Sequence, residues 1–553
     1  MKIINFSRSI EKGSVENKNP IFLFYQFFIH NNPHRNNEIK KCLKLNVENT
    51  YIDKIYLLNE KIYTDDELGV SSDKIIQIDI KSRLKFKDVF NYITNNNIYG
   101  YNVIINADIF CDSTIQTIKF TNMHIKKQAM ALLRYEYAEN IKKSKIFGPR
   151  FDSQDTWIIH SEFIPDAQEQ KIFNFEFGKP GCDNKIIYLL NILGYQIFND
   201  PLTIKTYHIH SSQVRDYSPL DCINKPWGVI IPAKFSMDQI QPSLGIDLYK
   251  ISNLTNKFTQ ITFNDNHILF NYIKQKLDNN KSFIIPRIAG VENNYAVEAD
   301  VSKKPITPQG MEYINRALGV MKNNAGIKLT SLESIKKYSQ MYMESFQLCD
   351  MYSAWEPHGD VYKYIENSHN YIKYKYSNKQ PIWAFALDIF HYIKYQPWTY
   401  ALANKRILII SSFEDSIKEK IPIREEIYGI DLFPGCEITT IKPPQTQGSE
   451  DSEEFDKELD IFFTKLNEIK DTYDIALVSA GGYGNLICAH IYKSGKSAIY
   501  VGGVLQMYFG ILGNRWLKER SDIVRLYMNL HWSRPKEHEK PKNHNMVENS
   551  CYW

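Results

Sequence analysis

Short runs of apolar residues alternate with amphipathic segments through the first part of the chain. The runs cover residues 21–24, 54–58, 74–78, 103–105 and 131–133. Each has the length and the content of branched or aromatic side chains that buried strands have, and the intervening segments have room for helices. Strands separated by helices at this spacing predict a parallel or mixed sheet with helices on its faces.

A second series of apolar runs begins at residues 283–285 and resumes, after a helical and aromatic-rich region, at 406–410, 474–478 and 497–501. With 553 residues the chain is too long for one hydrophobic core. We therefore predict two Rossmann-like α/β domains, the first with a mixed sheet and the second with a mainly parallel sheet. The predicted division is a first domain over residues 1–225, a linker or accessory segment over 226–279, and a second domain with a C-terminal tail over 280–553.

Composition narrows the class of protein. The formal net charge is only +4, and no block of Lys and Arg interleaved with aromatic residues occurs, so nucleic acid is not an expected partner. The eight cysteines include no CxxC pair, which predicts neither a zinc site nor a disulfide framework and favours a reducing compartment. The longest apolar stretch, residues 499–512, is shorter than the roughly 20 residues of a membrane helix. We expect a cytoplasmic protein without a membrane span, and the oligomeric state is not predicted.

One predicted strand runs directly into an acidic segment. Val103-Ile104-Ile105 is followed by Asn106, Asp108 and Asp112. Ligands of open α/β sheets collect at the carboxyl ends of strands, so chemistry is expected at Asp108. A carboxylate there can hold a hard divalent cation, which would neutralise the diphosphate of an activated donor. The alternative is that Asp108 only caps the following turn.

Two later acids are candidates for a general base, which would take the proton of an acceptor hydroxyl. These are Asp155 and Asp183. Asp155 is favoured because Trp157 beside it could stack on a sugar ring. Asp183 could instead be the N-cap of the helix predicted after it.

Basic and imidazole side chains complete the candidates in the first domain. His208 and His210 stand at i and i+2 on one face of a predicted strand, where they could bind a metal or serve only as structural residues. Arg83 and Arg134 could contact the diphosphate or base of a donor, although surface ion pairs explain them almost as well.

The order of the segments NADIFCD, SQDTW, GCDN and KTYHIH resembles the GT-A class of glycosyltransferases, in particular small nucleotide-sugar transferases of large DNA viruses and bacteria. In that class a DxD-type motif binds Mn²⁺ or Mg²⁺ together with the nucleotide diphosphate. The resemblance implies that Asp108 holds the metal, with His208 and His210 as further candidate ligands. Asn106 stands in place of the first acid of DxD and is a candidate donor contact. A viral origin would make the compartment the host cytoplasm.

Two glycine-rich turns follow predicted strands of the second domain. Glycine lets backbone N–H groups approach an anion at the start of a helix, so a donor phosphate is a natural ligand there. The alternative is that these glycines only permit close packing of strand and helix. The candidate donor-binding residues are Gly481, Gly482, Gly484, Gly502, Gly503 and Gln506.

The segment Arg287-Ile288-Ala289-Gly290-Val291-Glu292, together with these turns, resembles GT-D-type glycosyltransferases. Those proteins carry an RFGDGE-like segment whose DxE acids are tied to donor and metal. The resemblance implies that Arg287 binds the donor and that Glu292 is a donor ligand or a base. Glu292 could also simply pair with Arg287. Gly290 replaces the first acid, and we predict no cofactor for this domain.

Taken together, the sequence predicts a bifunctional glycosyltransferase that moves sugars from nucleotide-diphosphate donors, UDP-sugars in the first place, to a growing glycan or glycoconjugate. The first domain would depend on Mn²⁺ or Mg²⁺ at Asp108. One alternative is a non-catalytic glycan-binding or assembly protein, because each half lacks one acid of the expected pair. The other is a sugar nucleotidyltransferase, against which stands the lack of a glycine-rich, Lys- or Arg-bearing triphosphate loop near the N-terminus. The donor sugar, the acceptor and the stereochemistry are not predicted.

Overall fold

The structure, a computed structural model, divides into two compact units. Unit 1 comprises Met1–Thr255, and unit 2 comprises Asn256–Tyr392 and Pro397–Trp553. The structure describes the whole chain apart from residues 1–3, 7–8, 11–12, 14, 213, 215–217, 219–220, 242–264, 302–307, 355–362, 389–396, 447–450, 520, 542 and 548–549. The central part of the predicted linker, residues 242–264, therefore lies outside the described residues.

Unit 1 is an α/β unit with thirteen described strands. The strands are β1 Ile4–Phe6, β2 Ile21–Tyr25, β3 Lys54–Asn59, β4 Ile75–Asp79, β5 Tyr101–Ile105, β6 Ile109–Cys111, β7 Gln128–Leu132, β8 Tyr135–Glu136, β9 Lys145–Ile146, β10 Thr156–His160, β11 Gln196–Phe198, β12 Thr206–His208 and β13 Val229–Ile231. The described α-helices are Pro33–Glu48, Asp65–Leu68, Phe86–Asn95 and Cys182–Ile192.

Seven of these strands form the main sheet, in the order β11-β7-β10-β5-β2-β3-β4. Strand β10 runs antiparallel to both of its neighbours, β5 and β7, and the other pairings are parallel. All five residues of β5 are buried, because helices and loops cover the two faces of this central strand. The mixed sheet predicted for the first half is confirmed.

A second, small sheet in the order β6-β12-β8-β9 stands at the carboxyl end of β5. Strand β6 starts one residue after Asp108, and His208 at the end of β12 pairs with Ile109 on one side and Glu136 on the other. This register brings Asp108, His208 and Glu136 together although they are far apart in sequence.

Local sequence signals position the first helix at the same edge. The side chain of Asn32 accepts hydrogen bonds from the backbone N–H groups of His34 and Arg35, and Pro33 occupies the first helical position. An Asn N-cap followed by proline is a strong helix start. Because this helix follows β2, the neighbour of β5, its first turn carries Arg35 toward the end of β5.

Unit 2 has seven described strands and a larger share of helix. The strands are β14 Ile284–Ile285, β15 Met351–Ala354, β16 Gln380–Trp383, β17 Arg406–Ser411, β18 Glu437–Ile441, β19 Ile475–Ser479 and β20 Ser497–Tyr500. The named helices are Val291–Val301, Pro308–Val320, Leu332–Leu348, Lys363–Lys375, Glu414–Lys420, Arg424–Tyr428, Phe455–Glu468, Gly484–Lys493, Asn514–Glu519 and Ser521–Tyr527. Residues 265–278 are also helical.

The main sheet of unit 2 has five strands in the order β14-β20-β19-β17-β18, and every pairing is parallel. All five carboxyl ends therefore lie at one edge, as expected for a doubly wound α/β unit. The predicted parallel sheet is confirmed. Within the described part of the chain, no helix is long and apolar enough to cross a membrane.

Candidate functional site

Three polar segments meet at one edge of the main sheet of unit 1. Strand β10 begins at Thr156, which lies opposite Ile105 at the end of β5 and opposite Leu132 at the end of β7. The residues just after β5 and β7 and just before β10 therefore converge, although they come from positions 106–108, 133–134 and 152–155. The side chain of Asn106 joins two of these segments, donating a 2.8 Å hydrogen bond to Asp155 Oδ1.

Asp108 is largely buried and lies between two cationic groups. Its Oδ2 accepts a very short hydrogen bond from Arg35 Nη2 and one of 3.0 Å from His208 Nε2. Burial alone would raise the pKa of the Asp108 carboxyl, but the charges of His208 and Arg35 and their hydrogen bonds hold it well below its usual range. Asp108 is therefore ionised at every physiological pH, as a cation ligand must be.

The second ring nitrogen of His208 contacts another carboxylate. Its Nδ1 lies 3.3 Å from Glu136 Oε2. Burial would lower the pKa of the imidazole, but the charge of Asp108 and the hydrogen bonds to Asp108 and Glu136 raise it to about 9. Burial would in turn raise the pKa of Glu136, but the hydrogen bond from His208 and the charge of Arg134 lower it to about 2.

Acidic and basic groups alternate along an unbroken chain of contacts at this edge. In order, the groups are Glu38, Arg35, Asp108, His208, Glu136, Arg134 and Asp155. Each charge is flanked by groups of opposite sign, so charges that would be costly to bury singly stabilise one another. We call this chain of contacts the ionic relay.

The donor atoms around Asp108 fit a divalent cation. One ligand atom each from Asp108, His208 and His210 lies within 4.8 Å of the others. The two imidazole rings stack at 5.0 Å between centroids and 17° between planes. Arg35 and His208 both contact Oδ2, and Glu136 behind His208 is the outer carboxylate that commonly orients a histidine ligand. A ligating His208 must be neutral, so binding would release its proton.

Asp155 is fully engaged by other side chains. Its Oδ2 accepts from Arg134 Nη1 at 2.5 Å, while its Oδ1 accepts from Asn106. The prediction that Trp157 stacks on a sugar ring is wrong. That side chain is completely buried and packs edge-on against Phe86 at 5.1 Å, so no sugar can reach it.

Asp183 has a different environment from the neighbouring acids. It is the second residue of helix Cys182–Ile192, whose N-cap is Gly181, so the N-cap interpretation is not what the structure shows. Its Oδ2 accepts a 3.3 Å hydrogen bond from the backbone N–H of Gln154. Burial, followed by repulsion from Asp155 and Asp152, raises the pKa of Asp183 to about 7.

The hydrogen-bond partners of Asp183 differ from those of Asp152 and Asp155. Asp152 forms a two-pronged pair with Arg150, at 3.0 and 2.9 Å, and Asp155 pairs with Arg134. The described hydrogen bonds to Asp183 come from backbone N–H groups. A buried carboxylate whose pKa is raised to about 7 suits acid–base chemistry at neutral pH, and Asp183 has this property.

Arg83 lies in the loop after β4, beside the segment that leads to Asp183. Its Nε and Nη2 atoms donate to the carbonyl oxygen of Phe177 at 3.2 and 3.0 Å, and Nε lies 3.7 Å from Glu176. Its described contacts thus differ from those of Arg134, which belongs to the ionic relay.

In unit 2 a cavity opens at the carboxyl edge of the parallel sheet. Its empty volume is about 620 Å³, part of it open to solvent. Strands β17, β19 and β20 end directly at it, with Ser411, Ser479 and Tyr500 among its lining residues. Strand β18 reaches it through the segment that carries Gln445, and β14 through the segment that leads to Glu292. The lining residues are Glu292, Asn324, Ala325, Gly326, Ser411, Ser412, Phe413, Gln445, Ser479, Ala480, Gly481, Tyr500, Gly503 and Tyr552. Hydroxyls, amides, aromatic rings and one carboxylate can bind the rings and hydroxyl groups of a sugar or a nucleoside.

The predicted donor-binding glycines fall into two groups. Gly481 and Gly503 line the cavity. Gly482, Gly484 and Gly502 lie against Ile327, Tyr500 and Arg287, with no room for a Cβ. Gln506 is buried and donates to the carbonyl oxygens of Ile511 and Tyr552, both at 3.1 Å.

Arg287 and Glu292 have different described surroundings. Arg287 Nη1 donates to the carbonyl oxygen of Val501 at 2.6 Å, and its backbone N–H donates to Asn485 Oδ1 at 3.0 Å. This arrangement fixes the segment that leads to Glu292, which lies in the first turn of its helix and lines the cavity. An added Cβ at Gly290 would meet no atom within 4 Å.

Gly502→Ala is expected to destabilise unit 2 by about 2 to 4 kcal/mol. The backbone at Gly502 has φ 78° and ψ −167°, which only glycine adopts readily, and a Cβ would lie 2.1 Å from Arg287 Nη1. Gly495→Ala is the matched control, because Gly495 also has positive φ but nothing within 4 Å. Denaturant unfolding should show a clearly smaller loss for the control, and equal losses would contradict the proposed clash.

Comparisons with known proteins give partial similarities. No protein-family model matches the chain, and no curated protein matches it in sequence. A glycosyltransferase (DUF1792) from Streptococcus sanguinis is 13% identical over 50% of this chain and 91% of its own, with a TM-score of 0.25. The highly conserved domain of unknown function 1792, described as having a distinct glycosyltransferase fold, is 10% identical over 51% of this chain and 98% of its own, with a TM-score of 0.26.

A 4-diphosphocytidyl-2C-methyl-D-erythritol synthase from Anaerococcus prevotii is 10% identical over 36% of this chain and 91% of its own, with a TM-score of 0.22. Identities and TM-scores at this level do not establish family membership.

Several site residues were not predicted from the sequence. In unit 1 these are Arg35, Glu38 and Glu136, and in unit 2 they include Ser411, Ser412, Gln445 and Tyr552. Arg35 had a usable signal, the Asn-Pro helix start directly after the first strand of the sheet. Ser411 had one too, as the last residue of an apolar strand. For Tyr552 the signal was partial, because the apolar neighbours Cys551 and Trp553 indicate a C-terminal segment that packs onto the body of the chain but do not indicate the cavity.

Proposed function

We propose that the protein is a glycosyltransferase with two separate sites. Unit 1 would transfer a sugar from a nucleotide-diphosphate donor to a hydroxyl, and unit 2 would bind a second donor in its cavity. One observation carries the proposal for unit 1. A cluster of candidate cation ligands at Asp108 is linked, through Asn106, Asp155 and Gln154, to a carboxylate whose pKa of about 7 suits a general base.

The residues of unit 1 divide the work of the transfer. A bound Mn²⁺ or Mg²⁺ would offset the charge of the donor diphosphate and of the departing nucleotide. Asp108, His208 and His210 would hold that ion. Arg134 fixes Asp155, and Asp155 keeps Asn106 directed along the sheet edge. Asp183, ionised above pH 7, would accept the proton of the acceptor hydroxyl as its oxygen attacks the anomeric carbon.

For unit 2 the support is the composition of the cavity. Serine hydroxyls, two amides and Glu292 offer hydrogen-bonding partners to sugar hydroxyls, and the glycine turns at Gly481 and Gly503 expose backbone to phosphate. In this proposal some of the residues predicted to bind the donor contribute only indirectly. They are Arg287, Gly482, Gly484, Gly502 and Gln506. Their described contacts shape the cavity wall.

A binding screen tests the donor assignment. The full chain would be titrated with UDP-, GDP- and dTDP-sugars in the presence of Mn²⁺, Mg²⁺ or EDTA, with thermal unfolding as the readout. A ligand that binds only the folded state raises its stability by mass action, by about 2.7 kcal/mol at 100 times its Kd. Stabilisation by one nucleotide class, partly sensitive to EDTA, is expected. No stabilisation by any of them would favour the non-catalytic alternative.

Glu292→Gln is expected to lower turnover of the unit 2 donor on the order of 10²-fold and to leave unit 1 unaffected. The amide keeps the size of the side chain but removes its charge and basicity at the cavity. Glu298→Gln on the same helix is the matched control. Release of nucleoside diphosphate from each active donor is the measurement, and unchanged turnover of every donor would rule out a catalytic role for Glu292.

A further inference from the structure

Tyr552 occupies an unusual position in unit 2. It comes from the C-terminal segment, far in sequence from the other lining residues, and yet it forms part of the cavity wall at the carboxyl edge of the sheet. Its neighbours Cys551 and Trp553 are buried, whereas Tyr552 itself is only partly buried. The segment therefore packs into the body of the unit and presents one aromatic side chain to the cavity.

The ring of Tyr552 is fixed by Arg515. The guanidinium carbon lies 4.9 Å from the ring centroid, and Nη1 donates to the phenol oxygen at 3.1 Å. The backbone N–H of Arg515 also donates to the carbonyl oxygen of Cys551 at 2.8 Å. A cation placed over a ring and bonded to its hydroxyl restricts both the position and the rotation of the ring.

The backbone of Tyr552 is fixed independently. Gln506 Nε2 donates to its carbonyl oxygen at 3.1 Å. The edge of the ring at Cε1 lies against Gly503, where an added Cβ would come within 2.3 Å of Tyr552 Cε1, 3.0 Å of Cζ and 3.2 Å of Cδ1. The ring thus reaches directly onto the glycine turn after β20, next to the backbone that could receive a phosphate.

We propose that Tyr552 is the stacking platform for the nucleobase of the unit 2 donor. The inference rests on the proposed donor site in this cavity and adds the residue that would bind its base. A flat ring held on a glycine turn offers the surface that a nucleobase stacks on, and such contacts change affinity by roughly tenfold or more. The ring would be in place before the ligand arrives, so little conformational entropy is lost on binding.

The test compares ligands with and without a base. UDP and inorganic pyrophosphate would be titrated calorimetrically into the full chain carrying Asp108→Asn, which is intended to remove cation-dependent binding by unit 1. Tyr552→Leu is expected to weaken UDP binding about tenfold and to leave pyrophosphate binding unchanged, whereas Tyr552→Phe should stay within about threefold of the parent. Tyr374→Leu, at an exposed tyrosine of the same unit, is the control and should change neither.

A measurement on the unsubstituted chain tests the proposal even if Tyr552→Leu does not fold. Hydrogen exchange of the peptides that contain Gly503 and Tyr552 should slow with UDP, and pyrophosphate should protect only the Gly503 peptide. If UDP protects the cavity but Tyr552→Leu binds it as tightly as the parent, the stacking role is overturned and the donor site stands. If that variant loses affinity only for UDP-sugars and not for UDP, the ring binds the sugar and the base assignment is overturned. If no nucleotide protects the cavity peptides, the donor site of unit 2 fails together with this inference.

Discussion

Asp183→Asn is expected to reduce transfer by unit 1 about 10²- to 10⁴-fold in kcat, while donor binding stays nearly unchanged. The amide has the same shape and can still accept the hydrogen bond from the backbone of Gln154, but it cannot take a proton. Asp155→Asn is an informative comparison, because Asp155 is paired with Arg134 and would act through position instead of proton transfer. A larger loss of kcat for Asp155→Asn than for Asp183→Asn would reverse the assignment of the base.

The pH dependence of unit 1 should follow the same carboxyl. With a pKa of about 7, Asp183 is protonated and inactive as a base at low pH, so kcat/KM should rise about tenfold per unit up to pH 7 and then level off. The stability of unit 1 changes with pH in the opposite direction to its activity. The folded state holds the proton more tightly than the unfolded chain does, so stability is lost as pH rises from about 4 to about 7. Asp183→Asn lacks this loss and should gain stability relative to the parent across that range.

Asp108→Asn is expected to abolish cation-dependent donor binding by unit 1 and also to destabilise the unit by about 3 to 5 kcal/mol. The substitution removes a ligand oxygen charge and leaves Arg35 and His208 without their shared carboxylate. Calorimetric titration of Mn²⁺ and UDP, together with denaturant unfolding, would measure the two effects. Asp79→Asn, at the exposed end of the edge strand β4, is the matched control and should alter neither.

A double variant separates the two effects of Asp108→Asn. Combining it with Arg35→Met removes both partners of one ion pair, which is often nearly neutral for stability. We expect stability to recover in part while cation binding stays absent. Recovery of cation-dependent binding in the double variant would contradict a role for Asp108 as a ligand.

The strands that could be predicted from the sequence are those that are buried on both faces, because such strands are continuous apolar runs. Strands β5 and β17 are the best examples, because both lie inside a sheet and are covered on two faces. Strand β18 was not predicted, since Glu437–Ile441 is an edge strand whose side chains are partly exposed and whose pattern is polar. Edge strands depend on a partner that the local sequence does not reveal.

Site residues that directly follow a buried strand could be predicted from the sequence. Contacts between residues that are far apart in sequence could not. Asp108 follows a buried strand, and the His208–His210 spacing places both rings on one side, so both could be found from the sequence. The ionic relay depends on the register of the small sheet, which pairs His208 with Glu136. The raised pKa of Asp183 depends on burial and on two acids from another segment. Neither follows from local pattern.

Nucleoside diphosphate release is the measurement that most directly tests the two-site account. It would be followed for each donor that binds, with the unsubstituted chain, Asp183→Asn, Glu292→Gln and the double variant, all shown to be folded. The account predicts that each single variant loses turnover at one site only and that the double variant releases none. Loss of all turnover in either folded single variant, or full turnover in the double variant, would contradict it.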